Sequence, residues 1–147
     1  MLDKKKVYII VSTFYNELTK ELIKGANDAI MTSKDFDSIV TIIKVPGAFE
    51  IPGMVNQLLE NHNPDLIVTL GIIIKGKTNH FEQLSEFVFN SISKLSLSTK
   101  SPITYGIISA LNYKQAEERA LISKRNKGAE VAKAGLTMLK LYDKYKK

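Results

Sequence analysis

Four nearly continuous apolar runs punctuate the chain: KVYIIVS (6–12), SIVTIIKV (38–45), LIVTLGIII (66–74) and ITYGIIS (103–109). Rich in Val and Ile and lacking a polar face, they predict strands covered on both sides. Between them, apolar residues recur at helical spacing: Leu18, Leu22, Ala26 and Ala29, then Val55, Leu58 and Leu59, then Phe81, Leu84, Val88, Ile92 and Leu95. Beyond the last run, Tyr113 to Ile122 and Ala129 to Tyr145 predict two further helices. Strand and helix in alternation predict an α/β fold, with a parallel sheet, right-handed crossovers and helices on both faces. No repeat, linker or low-complexity tract interrupts the pattern, so the 147 residues are expected to form one domain spanning 1–147. A chain of that length buries roughly two thirds of the surface it exposes when unfolded. Ligands of such folds gather at the carboxyl ends of the strands, which makes the residues following each run the place to look for chemistry.

Composition narrows the classes. The chain has no cysteine, which removes disulfides, thiolate catalysis and Cys-based zinc sites and suits a reducing cytoplasm. It has two histidines, too few for a multi-histidine metal centre, and no metal is expected. The apolar runs fall short of the ~18 residues that a membrane span needs, and the leading MLDKKKVYIIVSTF lacks a signal-peptide cleavage site, so no membrane role is expected. The formal charge is +6, but Lys4, Lys5, Lys6, Lys144, Lys146 and Lys147 at the two ends account for it and the body of the chain is balanced. Terminal lysines without a recognition helix or RNA-binding motif are solvated tails, and no nucleic-acid partner is expected.

One segment imitates a nucleotide-binding loop. GIIIKGKT (71–78) fits the pattern G-x-x-x-x-G-K-[ST] and follows an apolar run. In a true phosphate loop, the residues between the glycines leave the strand and aim their amides inward. Here they are Ile72, Ile73, Ile74 and Lys75, and β-branched side chains resist positive φ and favour extended backbone. The strand therefore continues past Gly71, and the loop begins at Gly76. A later strand ending in Asp to hold Mg²⁺ is also missing, since ITYGIIS ends in Ser109. What remains is Gly76-Lys77-Thr78 before a helix, where free amides can receive a phosphate without nucleotide chemistry.

The other strand ends carry different groups. The first ends in Ser12-Thr13-Phe14-Tyr15-Asn16, and the second in VPGAFEIP (45–52), a Pro-Gly turn with Phe49 and then Glu50 near a helix start. Phe14 and Phe49 are either core plugs or a stacking platform; two aromatics beside a carboxylate at this edge suit a flat polar ring carrying hydroxyls. His80 reads as a proton-transfer group or as a solvent-facing residue at a helix start, and His62 in ENHNPD as a surface turn.

VPGAFEIP, GIIIKGKTNHF, QAEERA and NKGAEVA, in this order and spacing, resemble the 6,7-dimethyl-8-ribityllumazine synthases, and the likeness runs from about Val7 to Tyr142. The resemblance implies a flavodoxin-like three-layer sandwich with a four-stranded parallel sheet. It implies a transferase that condenses 5-amino-6-(D-ribitylamino)uracil with 3,4-dihydroxy-2-butanone 4-phosphate, releasing phosphate and water, in the penultimate step of riboflavin synthesis. No cofactor is implied. Members form pentamers, sometimes arranged as shells of sixty, with active sites shared between neighbouring chains, and riboflavin synthase is a partner that the family suggests. Longer members carry a leading segment that pairs with the neighbouring sheet; few residues precede Lys6 here, so a pentamer is expected and the shell is left open.

By position, the resemblance assigns Phe14 to stacking on the uracil ring, Ala48, Phe49 and Glu50 to the uracil compound and its ribityl hydroxyls, and Ile72, Ile73 and Ile74 to backbone reading of the ring edge. It assigns Lys77, Thr78 and Arg119 to the phosphate, His80 to general acid catalysis, and Tyr105 and Lys127 to contributions from an adjacent chain. Arginine suits its role because a planar fork can hold two phosphate oxygens. Three positions depart from the family pattern: Tyr15 stands where Asn is usual, Lys77 where a small or acidic residue is common, and Tyr105 where Phe is expected. A phospho-accepting signalling domain would need acidic residues after the first and third strands, which YIIVSTF and LGIIIKG lack. A non-catalytic flavin-binding or shell-forming homologue would keep the aromatics and let His80 or Arg119 drift; both are present.

Overall fold

The computed structural model describes residues 3–77 and 80–147. Its strands are β1 (Lys5–Ser12), β2 (Ser38–Val45), β3 (Leu66–Ile74) and β4 (Ile103–Ala110). Its helices are α1 (Asn16–Met31), α2 (Ile51–Asn61), α3 (His80–Leu97), α4 (Tyr113–Ala120) and α5 (Lys127–Tyr145), with one 3₁₀ turn at Ala48–Glu50. The four strands pair in parallel in the order β2-β1-β3-β4, the doubly wound arrangement of a flavodoxin-like sandwich. The expected elements therefore form with ends displaced by a residue or two, as fraying helix termini dictate; the 3₁₀ turn is the one addition.

Period-two alternation along the strands divides the interior into two cores. Val7, Ile9 and Val11 of β1, with Leu66, Val68 and Leu70 of β3, face α1, α4 and α5. Ile10, Ile67, Ile73 and Ile107 face α2 and α3. Central β1 and β3 are apolar on both faces for this reason, and each fully buried Ile, Leu or Val contributes about 1.5–3 kcal/mol of transfer free energy. The α1 side is held by an unusually close helix approach: a Cβ on Gly128 of α5 would collide with the backbone carbonyl of Leu22 in α1. The α3 side is looser. Only Val88 and Ile92 of α3 are fully buried, so its first two turns lack a deep anchor.

Asn112 and Asn126 cap α4 and α5 by accepting hydrogen bonds from the amides of Gln115 and Ala129. Among the described residues no helix is long and apolar enough to cross a membrane.

Candidate active site

The carboxyl ends of β1 and β2 are stitched together. The Thr13 amide donates to the Val45 carbonyl at 2.9 Å, and the Thr13 hydroxyl to the Pro46 carbonyl at 3.3 Å. Phe14 is thereby laid across Gly47, where an added Cβ would meet the ring at 3.2 Å. Tyr15 then takes a left-handed conformation, φ 61° and ψ 52°, which turns the chain into α1. Asn tolerates that region better than Tyr, so the turn costs more with Tyr at this position.

After β2, the Glu50 carboxylate accepts the Gly47 amide at 3.0 Å and closes the 3₁₀ turn on itself. Ala48 points inward and is buried; Phe49 points out, 60% exposed, and stacks on Phe87 of α3 with ring centroids 4.8 Å apart and planes at 19°. Phe14 is 65% exposed. Neither ring is a core plug, and both stand at the strand ends on the surface.

β3 supplies the third wall because it outlasts β1. Its pairing with β1 ends at Val11 and Leu70, whereas its pairing with β4 runs on through Ile74 and Ala110. Backbone groups alternate sides along a parallel strand. The amides of Ile67 and Lys75 donate towards β4, to Pro102 and Ala110, so the amides and carbonyls of the even-numbered residues Ile72 and Ile74 point to the side where β1 has already turned away. Ile73 turns its backbone to β4 and its side chain into the α3 core. Gly71 lies within the strand, paired with Ile107, and a Cβ there would sit 2.6 Å from the Ser12 hydroxyl. The phosphate-loop imitation is thus a strand as far as Ile74.

Lys77 is exposed in the segment that follows, and Thr78 lies outside the described residues. His80 is the first residue of α3 and is exposed. Arg119 of α4 donates through Nη1 to the carbonyl of Ser109 at 3.1 Å, which brings its guanidinium to the carboxyl end of β4. Among the described residues no group of three His, Asp or Glu side chains is placed to hold a metal ion.

Two assigned residues remain. Tyr105 lies midway along β4, opposite Thr69, packed edge-on against Phe89 at 5.2 Å. Burial pushes its phenol up to about 12. Lys127 opens α5, whose next residue Gly128 packs against Leu22 of α1, and pairs with Glu130 at 3.4 Å. A cavity of about 1000 Å³ opens at the opposite, amino end of the sheet, lined by His62, Ser101 and Tyr142 among others.

The chain sequence did not announce the Phe49–Phe87 stack or the role of Ser109. The overhang of β3 left a trace in the greater length of its apolar run, LIVTLGIII against KVYIIVS.

Fold and site define a doubly wound α/β protein with stacking rings, a carboxylate, an imidazole and a guanidinium at the carboxyl ends of its strands. Residues 4–143 match 6,7-dimethyl-8-ribityllumazine synthase, and the chain belongs to that family. The 6,7-dimethyl-8-ribityllumazine synthase of Leuconostoc mesenteroides is 38% identical over 142 residues, covering 97% of this chain and 91% of that protein. The protein of the same name from Limosilactobacillus reuteri is 38% identical over 140 residues, covering 95% and 91%.

Proposed function

We propose that the protein is a transferase that joins 5-amino-6-(D-ribitylamino)uracil to 3,4-dihydroxy-2-butanone 4-phosphate, giving 6,7-dimethyl-8-ribityllumazine with release of phosphate and water. The reading rests above all on the overhang of β3, whose peptide donors and acceptors run on past the end of its pairing with β1, together with the exposed face of Phe14 that follows β1. That combination suits a flat ring with amide-like edges. Phe14 stacks on the pyrimidine, and the Ile72 and Ile74 backbones read its edge. Glu50 commits one oxygen to Gly47 and turns the other to the ribityl hydroxyls. Lys77, Thr78 and Arg119 receive the phosphate.

The reaction needs an amine to attack a ketone, water to leave, phosphate to be eliminated and a ring to close. The side chains named supply positioning and proton transfer. Fixing two reactants together lowers the barrier by up to ~7–11 kcal/mol in ideal cases, and proton transfer by His80 adds about 10²- to 10⁴-fold.

The place of Tyr105 midway along β4 rather than at its carboxyl end supports a site completed by a neighbouring copy, as do the exposed rings of Phe87 and Phe89 on α3. We propose a cytoplasmic homopentamer whose product passes to a riboflavin synthase. Incubating the protein with both substrates and following lumazine absorbance and fluorescence tests the activity; a rate no higher than the spontaneous condensation overturns it. Light scattering tests the assembly, with five protomer masses expected and sixty marking a shell.

A further inference from the structure

The first two turns of α3 carry His80 but include no fully buried side chain. Phe81 and Leu84 pack half-buried against the core and Phe87 stacks on Phe49, and two polar contacts fix their register: Glu82 pairs with Lys75 at 3.4 Å, and the Ser85 hydroxyl meets the Ser109 hydroxyl at 3.0 Å. Both partners of the ion pair are about half exposed or more, so that contact contributes little. The serine pair is partly buried and crosses from α3 to β4, about one and a half turns after His80. The same Ser109 accepts the Arg119 guanidinium on its carbonyl.

We infer that Ser109 is a positioning residue that sets His80 and Arg119 at a fixed separation, its hydroxyl locating the start of α3 through Ser85 and its carbonyl locating the guanidinium. The inference rests on the reading of His80 and Arg119 as the proton-transfer and phosphate-holding groups. Phosphate elimination needs both at once: the anion held by Arg119 while a proton moves nearby. An ångström-scale error in their separation slows the chemical step far more than it weakens either substrate. The carbonyl is backbone and survives substitution, so a side-chain change at Ser109 tests the α3 tether alone.

Ser109→Val and Ser109→Thr have nearly the same shape and β-strand preference, and only Thr keeps the hydroxyl. With both substrates saturating, Ser109→Val is expected to lower kcat roughly tenfold while KM for the butanone phosphate stays within about twofold, a split that loss of fold would not produce. Ser109→Thr is expected to restore most of the lost turnover. Ser85→Ala added to Ser109→Val is expected to cost nothing more, because the two hydroxyls form one contact. Equal kcat for the Val and Thr variants, or additive losses in the double variant, overturns the inference and leaves the activity intact. An unaltered protein that makes no lumazine overturns the underlying reading instead.

Discussion

The Phe14 ring rests on Gly47 so closely that a single methyl group at that glycine would touch it at 3.2 Å, and Glu50 Oε1 lies 3.4 Å from the same point. The loop after β2 thus sets the height of the stacking ring. Gly47→Ala is expected to displace Phe14 rather than unfold the protein, because the ring is largely exposed and free to turn away. KM for the ribitylaminouracil is expected to rise severalfold, with the unfolding free energy changed by less than about 1 kcal/mol. Steady-state kinetics and urea denaturation measure the two; a large loss of stability with unchanged KM contradicts the arrangement.

Gly71 and Ser12 are coupled in the same way deeper down. Gly71→Ala puts a methyl 2.6 Å from the Ser12 hydroxyl and 3.3 Å from Ile51 in the packed core, at an expected cost of about 1–3 kcal/mol. The Ser12 hydroxyl is buried and has no hydrogen-bond partner among the described residues, so Ser12→Ala alone is expected to be near neutral or stabilising. Combined, the two changes should recover part of the loss. Chemical denaturation of the two single variants and the double variant checks the coupling, and strict additivity refutes it.

Arg119→Ala is expected to raise KM for the butanone phosphate by about 10- to 100-fold, the worth of charge-assisted hydrogen bonds at roughly 1.5–3 kcal/mol. KM for the uracil compound should move by less than about threefold on the same principle. Arg119→Lys keeps the charge, loses the fork and should fall between. Equal weakening of both substrates would remove Arg119 from the phosphate seat.

The Tyr105 phenol gives a pH prediction with a definite sign. Burial raises it to about 12 from the 10.0 of an unhindered tyrosine, so the folded chain keeps its proton where the unfolded chain releases one. Stability from this group is complete below pH 10 and is lost as pH rises from 10 towards 12. Tyr105→Phe should therefore lose less stability than the unaltered protein across that interval, as read by denaturant midpoints at successive pH values. Parallel curves for the two proteins would show that Tyr105 ionises freely.

Sequence pattern alone was enough for the four strands, the five helices, their alternation and the rejection of GIIIKGKT as a nucleotide loop. All follow from local rules: Val and Ile runs favour extended backbone, 3.6-residue spacing marks a helix, and branched residues refuse the turns a phosphate loop needs. The motifs after each strand also pointed to the edge where Phe14, Glu50, His80 and Arg119 lie, since a parallel α/β order sends every strand end to one side. Whether Phe14 and Phe49 were core or platform was undecided, because an aromatic letter carries no burial. Only the folded sheet determined that both rings stand exposed, that β3 overreaches β1 and opens the Ile72 and Ile74 backbone, and that Ser109 joins α3 to Arg119. Those relations depend on where two strands stop relative to each other and how helices lean on the sheet. Contacts between residues distant in the chain set both, and no local periodicity encodes them.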